Sequence, residues 1–401
     1  MNKKIYITGI GAVSALGNTI GENYNSLINK KSGIGKITLL DTVHKNIIPA
    51  GEIKSKDSEL KQHLQISDNK AYTRTALLGI KAAKEAIENA EISDINKYKT
   101  GIVSATTVAG MASREKYHLD YLQTDLYNDF VKTHEAADST EKIADYLGIK
   151  EFMTTVSTAC SSSANAIMTG ARLIKNGMLE RVIVGGTDAL SKFTINGFNT
   201  LMILDREVCK PFDNERQGLN LGEAAAYLVL ESETLIKKEN KIPLAELSGY
   251  ANTNDAFHQT ASSPEGYGAS LAMAQALKTA NLNPENIDCI NVHGTGTLNN
   301  DLSEGKAMLT IFKNKVPKFS STKAYTGHTL AAAGSLEAVF SVLSLKNKVI
   351  FPNLHFKNPM QEFDLIPETE LIKNVDLKHI MSNSFGFGGN DTVLIISEVN
   401  N

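Results

Sequence analysis

A unit of apolar strand, small-residue loop and helix repeats along this sequence, and after Lys237-Lys-Glu-Asn-Lys241 it begins again. In the first stretch the pattern predicts strands at 5–10, 100–104, 153–157, 182–185 and 224–231. Helices are expected at 21–29, at 71–90, where apolar residues recur every three and four positions, and at 161–176, ended by Gly177. Residues 113–147 are polar and read as a largely helical surface excursion. The second stretch predicts strands at 244–250, 288–292, 318–321, 379–383 and 392–398, with helices at 269–280, 301–312 and 330–347. Such alternation implies an α/β fold whose mostly parallel strands are covered on both faces. The restart divides the chain into two similar halves, 1–240 and 241–401. With no low-complexity segment or free linker between them, the halves are expected to share one core.

The 401 residues suffice for a large core. A net charge of −3 without basic tracts argues against a nucleic-acid binder. Three cysteines cannot all pair, which points to a reducing compartment, the cytoplasm. No apolar run approaches the roughly 18–20 residues of a membrane span. The opening MNKKIYITGIGAVSALG imitates a signal peptide, but Thr8, Gly9, Gly11, Ser14 and Gly17 make a poor apolar region and a good strand-then-loop.

Five loops are candidates to carry chemistry. Gly9-Ile-Gly-Ala-Val-Ser14 resembles a dinucleotide fingerprint but lacks the third glycine, and a tight strand-to-loop turn explains it without a ligand. Cys160, in V-S-T-A-C-S-S-S-A-N-A, follows a strand and opens a helix, where the dipole and free N–H groups are expected to favour a thiolate. Cys209 and Cys289 read as buried bystanders. His293, in N-V-H-G-T-G-T, and His328, in Y-T-G-H-T-L, each occupy a Gly/Thr-rich turn just beyond a strand, where open α/β sheets build their sites. Together they suggest a Cys-His-His constellation; at 35 residues apart and without local ligand pairs, the histidines read poorly as metal ligands. In N-S-F-G-F-G-G-N-D (383–391), Phe385 and Phe387 can wall an apolar tunnel, and the backbone can supply an oxyanion-hole N–H.

With these blocks in order, the sequence resembles the β-ketoacyl-ACP synthases of the elongating type, the fatty-acid II and polyketide ketosynthases of the thiolase superfamily. The likeness runs from ITGIGAVSALG through PFDNERQGLNLGEAAAYLVLE to NSFGFGG. It implies a thiolase-like fold, two duplicated α/β halves in a five-layered α-β-α-β-α core. It makes Cys160 the acylated nucleophile, with the N–H groups of Cys160 and Phe387 as oxyanion hole. His293 and His328 would stabilise the enolate from malonyl-ACP. Lys323 resembles the family lysine that orients the site, and Glu337 its acidic partner. Thr295 and Thr297 look like the pair that binds phosphopantetheine, and Phe387 like the gate between half-reactions.

The resemblance implies no redox cofactor and no catalytic metal, the substrates arriving on the phosphopantetheine of acyl carrier protein. It implies a homodimer, or a heterodimer with a chain-length-factor homologue. Non-condensing partners lack the nucleophilic cysteine, and a degradative thiolase would want a second one in a glycine-rich loop, where Cys289 does not lie. Lys70, Arg74, Arg206 and Lys210 are candidates for a basic rim facing an acidic carrier protein. The chain departs from the pattern at Asn390-Asp391, where the family usually has Thr-Asn, and at Leu298-Asn-Asn-Asp301, where the family often has a proline and a glycine before the aspartate. Those departures leave fatty-acid and specialised polyketide or polyene pathways both open.

Overall fold

The computed structural model describes residues 4–124, 126–313 and 315–399. Its first strand, β1 (Ile5–Ser14), is buried along its whole length. Gly9 and Gly11 are there because a helix, α1 (Arg74–Asn89), lies directly on them. A Cβ at either glycine would come within 2.1 Å of a helix carbonyl, that of Ala86 or Ala82. Close strand–helix packing therefore accounts for the Gly-x-Gly.

Nine further strands complete one sheet: β2 (Thr100–Ala105), β3 (Phe152–Val156), β4 (Arg181–Asp188), β5 (Ala224–Ser232), β6 (Ala245–Asn254), β7 (Cys289–Asn291), β8 (Lys318–Ser320), β9 (His379–Gly386) and β10 (Asn390–Ser397). Their spatial order is β3-β2-β4-β5-β1-β6-β10-β9-β7-β8. Read outward from the β1–β6 seam, each side runs first, fifth, fourth, second, third in its own chain order, so one topology occurs twice. The sheet is mixed rather than mostly parallel. β2 runs parallel to β3 and β4, and β7 to β8 and β9; every other pairing is antiparallel. Strand-helix-strand alternation predicts parallel neighbours only where a helix makes the crossover, and β9 returns directly into β10 as a hairpin.

Three helical layers enclose the two halves of the sheet. On one outer face α1 packs Leu77, Ile80 and Ala83 against Ile102, Ile183 and Tyr227. On the other, α3 (Tyr267–Ala280) and α4 (Leu298–Phe312) pack Ala272, Met273 and Met308 against Ile290, Val393 and Ile395. Between the halves lie α2 (Ser162–Lys175) and α5 (Ala333–Asn347). Helix α5 is buried from Ala333 to Leu345 on all sides, as an internal helix must be. This is the layered α-β-α-β-α arrangement. Among the described residues, no helix is long and apolar enough to cross a membrane.

Candidate active site

Beyond β3 the chain turns through Ala159 at φ 52° and enters α2 at Ser162, which puts Cys160 on the bend. The left-handed backbone at Ala159 is held by its neighbours. Ser162 Oγ accepts the Thr158 N–H (2.8 Å). Asn390 Oδ1, at the start of β10, gathers Ser161 Oγ (2.7 Å) and the side-chain amides of Asn165 and Asn252 (2.8 Å each). The cysteine turn and the last loop are thereby tied together.

Cys160 is buried, and its protonation corrects the sequence expectation. Burial pushes the thiol up to about 11, outweighing the Phe387 N–H, the Lys323 charge and its own N–H, which pull it down. The helix starts two residues too late for its dipole to prevail. The resting group is a thiol.

His293 follows β7, and His328 ends the short turn after Lys323–Thr326. Both rings are buried and meet edge to face with centroids 5.3 Å apart. Lys323 Nζ donates to His293 Nδ1 (3.2 Å), and the Leu330 N–H donates to His328 Nδ1 (3.1 Å). An imidazole that accepts at Nδ1 carries its proton on Nε2, so both rings become Nε2–H donors. His328 Nε2 has no partner among the described residues. One nitrogen from each ring and Cys160 Sγ lie within 4.8 Å of one another. The constellation expected from the sequence is thus brought together by the fold. The chemistry of the set still favours an anion over a metal, because a neutral thiol is a weak ligand and the Lys323 ammonium repels a cation.

Burial, then Lys323 and the neighbouring imidazole, hold His293 well below the usual histidine range; burial and Lys323 do so for His328. Both stay neutral where free histidine titrates. Because folding depresses these values, the stability they carry is present above pH 6.5 and lost as pH falls below it. The unfolding free energy is expected to drop in acid by up to about 1.4 kcal/mol per pH unit per histidine. Urea titrations of the parent and His328→Gln from pH 7 to 5 check this; the variant should show a shallower decline.

Lys323 and Glu337 form a buried ion pair behind the histidines. Burial pushes the Glu337 carboxyl up to about 7 against the pull of Lys323. Sequence reasoning missed Glu304, buried in α4, which accepts the N–H groups of His293 and Gly294 (2.8 Å each) and so fixes that turn. Asn220 was missed as well; its carbonyl accepts the His328 N–H (2.7 Å). Neither has a local signature, because each acts through a backbone group brought in by the fold.

A cavity of about 210 Å³ opens onto Cys160, His293 and His328, walled by Phe385, Phe387 and Phe198, with Thr295 and Thr297 toward Asn300. Thr295 and Thr297 share a 2.8 Å hydroxyl contact, and Thr297 also caps α4 through the Asn300 N–H (3.4 Å). Phe387 stacks on Phe198 at 5.8 Å, an unforeseen partner from the helix Lys192–Thr200. A larger cavity, about 850 Å³, lies around Arg74 and shares none of these residues. Arg74 is no rim residue: it is bound to Glu223 through both Nε (2.9 Å) and Nη2 (2.7 Å). Arg206 is exposed and Lys210 pairs with Glu207 (3.0 Å); neither they nor Lys70 line the Cys160 cavity.

A duplicated α/β fold with a buried thiol beside two neutral N–H donors outlines a thiol-dependent acyltransferase. Comparison with known proteins makes the class specific. The model of the β-ketoacyl synthase N-terminal domain matches residues 2–235, and that of the C-terminal domain residues 244–357. The 3-oxoacyl-[acyl-carrier-protein] synthase 2 of Staphylococcus aureus (strain COL) is 34% identical over 411 residues, covering 99% of this chain and 99% of its own. Among solved structures, the ishigamide ketosynthase/chain length factor superposes with a TM-score of 0.92 at 26% identity, covering 100% of both chains. A ketosynthase in complex with its chain length factor from Xenorhabdus doucetiae gives 0.84 at 30% identity, covering 99% of this chain and 98% of that one. The chain belongs to the β-ketoacyl synthase family, whose members are condensing acyltransferases.

Proposed function

We propose that this protein is a β-ketoacyl-[acyl carrier protein] synthase in which Cys160 carries the growing chain. The observation that carries the reading is the convergence of Cys160 Sγ with two neutral imidazoles, each donating from Nε2. In the first half-reaction the Cys160 sulfur attacks an acyl-ACP thioester carbonyl. The N–H groups of Cys160 and Phe387 receive the oxyanion, and the departing pantetheine thiolate leaves with the thiol proton. In the second, malonyl-ACP loses CO₂ and the enolate oxygen is held by His293 and His328. The resulting carbanion attacks the acyl-Cys160 carbonyl. The new β-ketoacyl-ACP is two carbons longer, and the expelled thiolate is reprotonated from solvent.

Two fixed neutral donors suit an enolate, since they need no reorganisation as charge develops. This chemistry calls for neither metal nor redox cofactor. Thr295 and Thr297 would bind the phosphopantetheine arm, and Phe385 and Phe387 would wall and gate the acyl chain. We place the enzyme in the cytoplasm, as a homodimer served by acyl carrier protein. Pairing with a chain-length-factor homologue is the second reading, favoured by the likeness to ketosynthases solved with such partners. Mass photometry of the protein purified with its genomic neighbour separates the two assemblies.

The deciding experiment is intact-protein mass spectrometry after exposure to acyl-ACPs of graded length. One acyl group should add to the parent and none to Cys160→Ala. An adduct that persists in the variant would overturn the assignment.

A further inference from the structure

Asp391 stands at the foot of the Phe387 loop, in a part of the site the reaction itself leaves unused. In β10 it is paired with Phe385 of β9 on one side and with Thr253 of β6 on the other. The loop above it is clasped by segment 254–259. Asn254 Nδ2 donates to Gly388 O (3.0 Å), the Gly388 N–H to Gln259 O (2.8 Å), and the Asp255 N–H to Gly389 O (2.8 Å).

Beneath that clasp two carboxyl groups crowd one glycine. A Cβ at Gly268 of α3 would lie 2.3 Å from Asp391 Oδ2 and 2.7 Å from Asp255 Cβ. Asp255 is well supplied with donors: the Ser263 N–H (2.6 Å), Ser263 Oγ (2.8 Å) and the Gly268 N–H (3.0 Å). Asp391 is 2% exposed, and among the described residues no donor reaches its carboxyl. The charged groups bearing on it are Asp255 and, from α4, Glu304, both acidic; among the described residues no cation faces it. Burial without a donor, beside acidic neighbours, favours the protonated form of Asp391.

We propose that Asp391 is a positioning residue for the Phe387 loop: as a neutral acid it lets segment 254–259 close on Gly388 and Gly389, and as a carboxylate it drives that segment away. Burial, then the charges of Asp255 and Glu304, push the Asp391 carboxyl up to about 8, so the change falls on the alkaline side of neutrality. The catalytic consequence rests on the reading that the Phe387 N–H serves the oxyanion, whereas the loop's motion does not.

The test is hydrogen exchange of the peptide spanning 385–392 in the full-length protein from pH 7 to 9.5, corrected for intrinsic rates. In the parent, protection should fall about tenfold per pH unit above pH 8. Asp391→Asn, which has the shape of the neutral acid and cannot ionise, should hold its protection throughout. Equal pH dependence in the two proteins overturns the proposal. So does constant protection in the parent, which decides the matter even if the variant does not fold. Acylation of Cys160 measured in the same samples reports separately on the functional reading.

Discussion

Cys160→Ala is expected to lower condensation of acyl-ACP with malonyl-ACP by roughly 10⁴-fold or more, the scale on which loss of a nucleophile is felt. No other group can take its place. Cys209 and Cys289 are buried, with thiols that burial pushes up to about 12, and neither borders the cavity. The substitution removes one sulfur from a small-residue turn whose hydrogen bonds come from Thr158, Ser161, Ser162 and Asn390. The thermal midpoint should therefore hardly move. Malonyl-ACP decarboxylation should persist, because the donors at His293 and His328 are set by Lys323 and the Leu330 N–H, independently of the thiol. Steady-state elongation and CO₂ release, measured on one preparation, check both halves. Undiminished elongation would end the proposal that Cys160 is the nucleophile.

The cysteine and histidines of the candidate site could be picked out in the sequence because each sits in a turn of small residues just past a strand, a local and conspicuous setting. Their environment could not be read. The thiol's resistance to ionisation comes from burial, which outweighs the opposing pull of the Phe387 N–H and of Lys323, both far away in the chain. Arg74 looked like a free surface cation until the fold brought Glu223 to it. The helix Lys192–Thr200 escaped notice because its Thr, Asn and Gly residues are poor helix formers. It forms because Ser191 caps it and Glu115, from a distant helix, accepts the Lys192 and Phe193 N–H groups (3.0 and 2.6 Å). The duplication was legible in the restart near residue 240, whereas the antiparallel members of the sheet depend on tertiary returns that a strand-helix alternation does not record.

The largest effect on stability is expected at Lys323. Lys323→Met leaves the Glu337 carboxyl buried without its cation, and Glu337 Oε2 already lacks a partner among the described residues. Breaking such a pair costs about 3–5 kcal/mol. The sign of the pH dependence follows from Glu337, whose carboxyl stands above its unfolded range and rises further once Lys323 is gone. Protonation spares the folded state an unpaired charge, so the deficit relative to the parent should shrink as pH is lowered through the alkaline range toward 7 and change little below it, where the carboxyl is protonated in both proteins. Activity should fall by about 10²–10³-fold, the loss of one aligned donor, because nothing then holds His293 Nδ1 as the acceptor. The double variant Lys323→Met/Glu337→Leu separates the two roles. Replacing both partners by apolar groups should restore most of the stability, as it does for buried pairs elsewhere, and none of the activity. Urea unfolding at pH 9 and 7, with decarboxylation rates on the same proteins, reads both. If the double variant recovered its rate along with its stability, Lys323 would be holding the fold and not the imidazole.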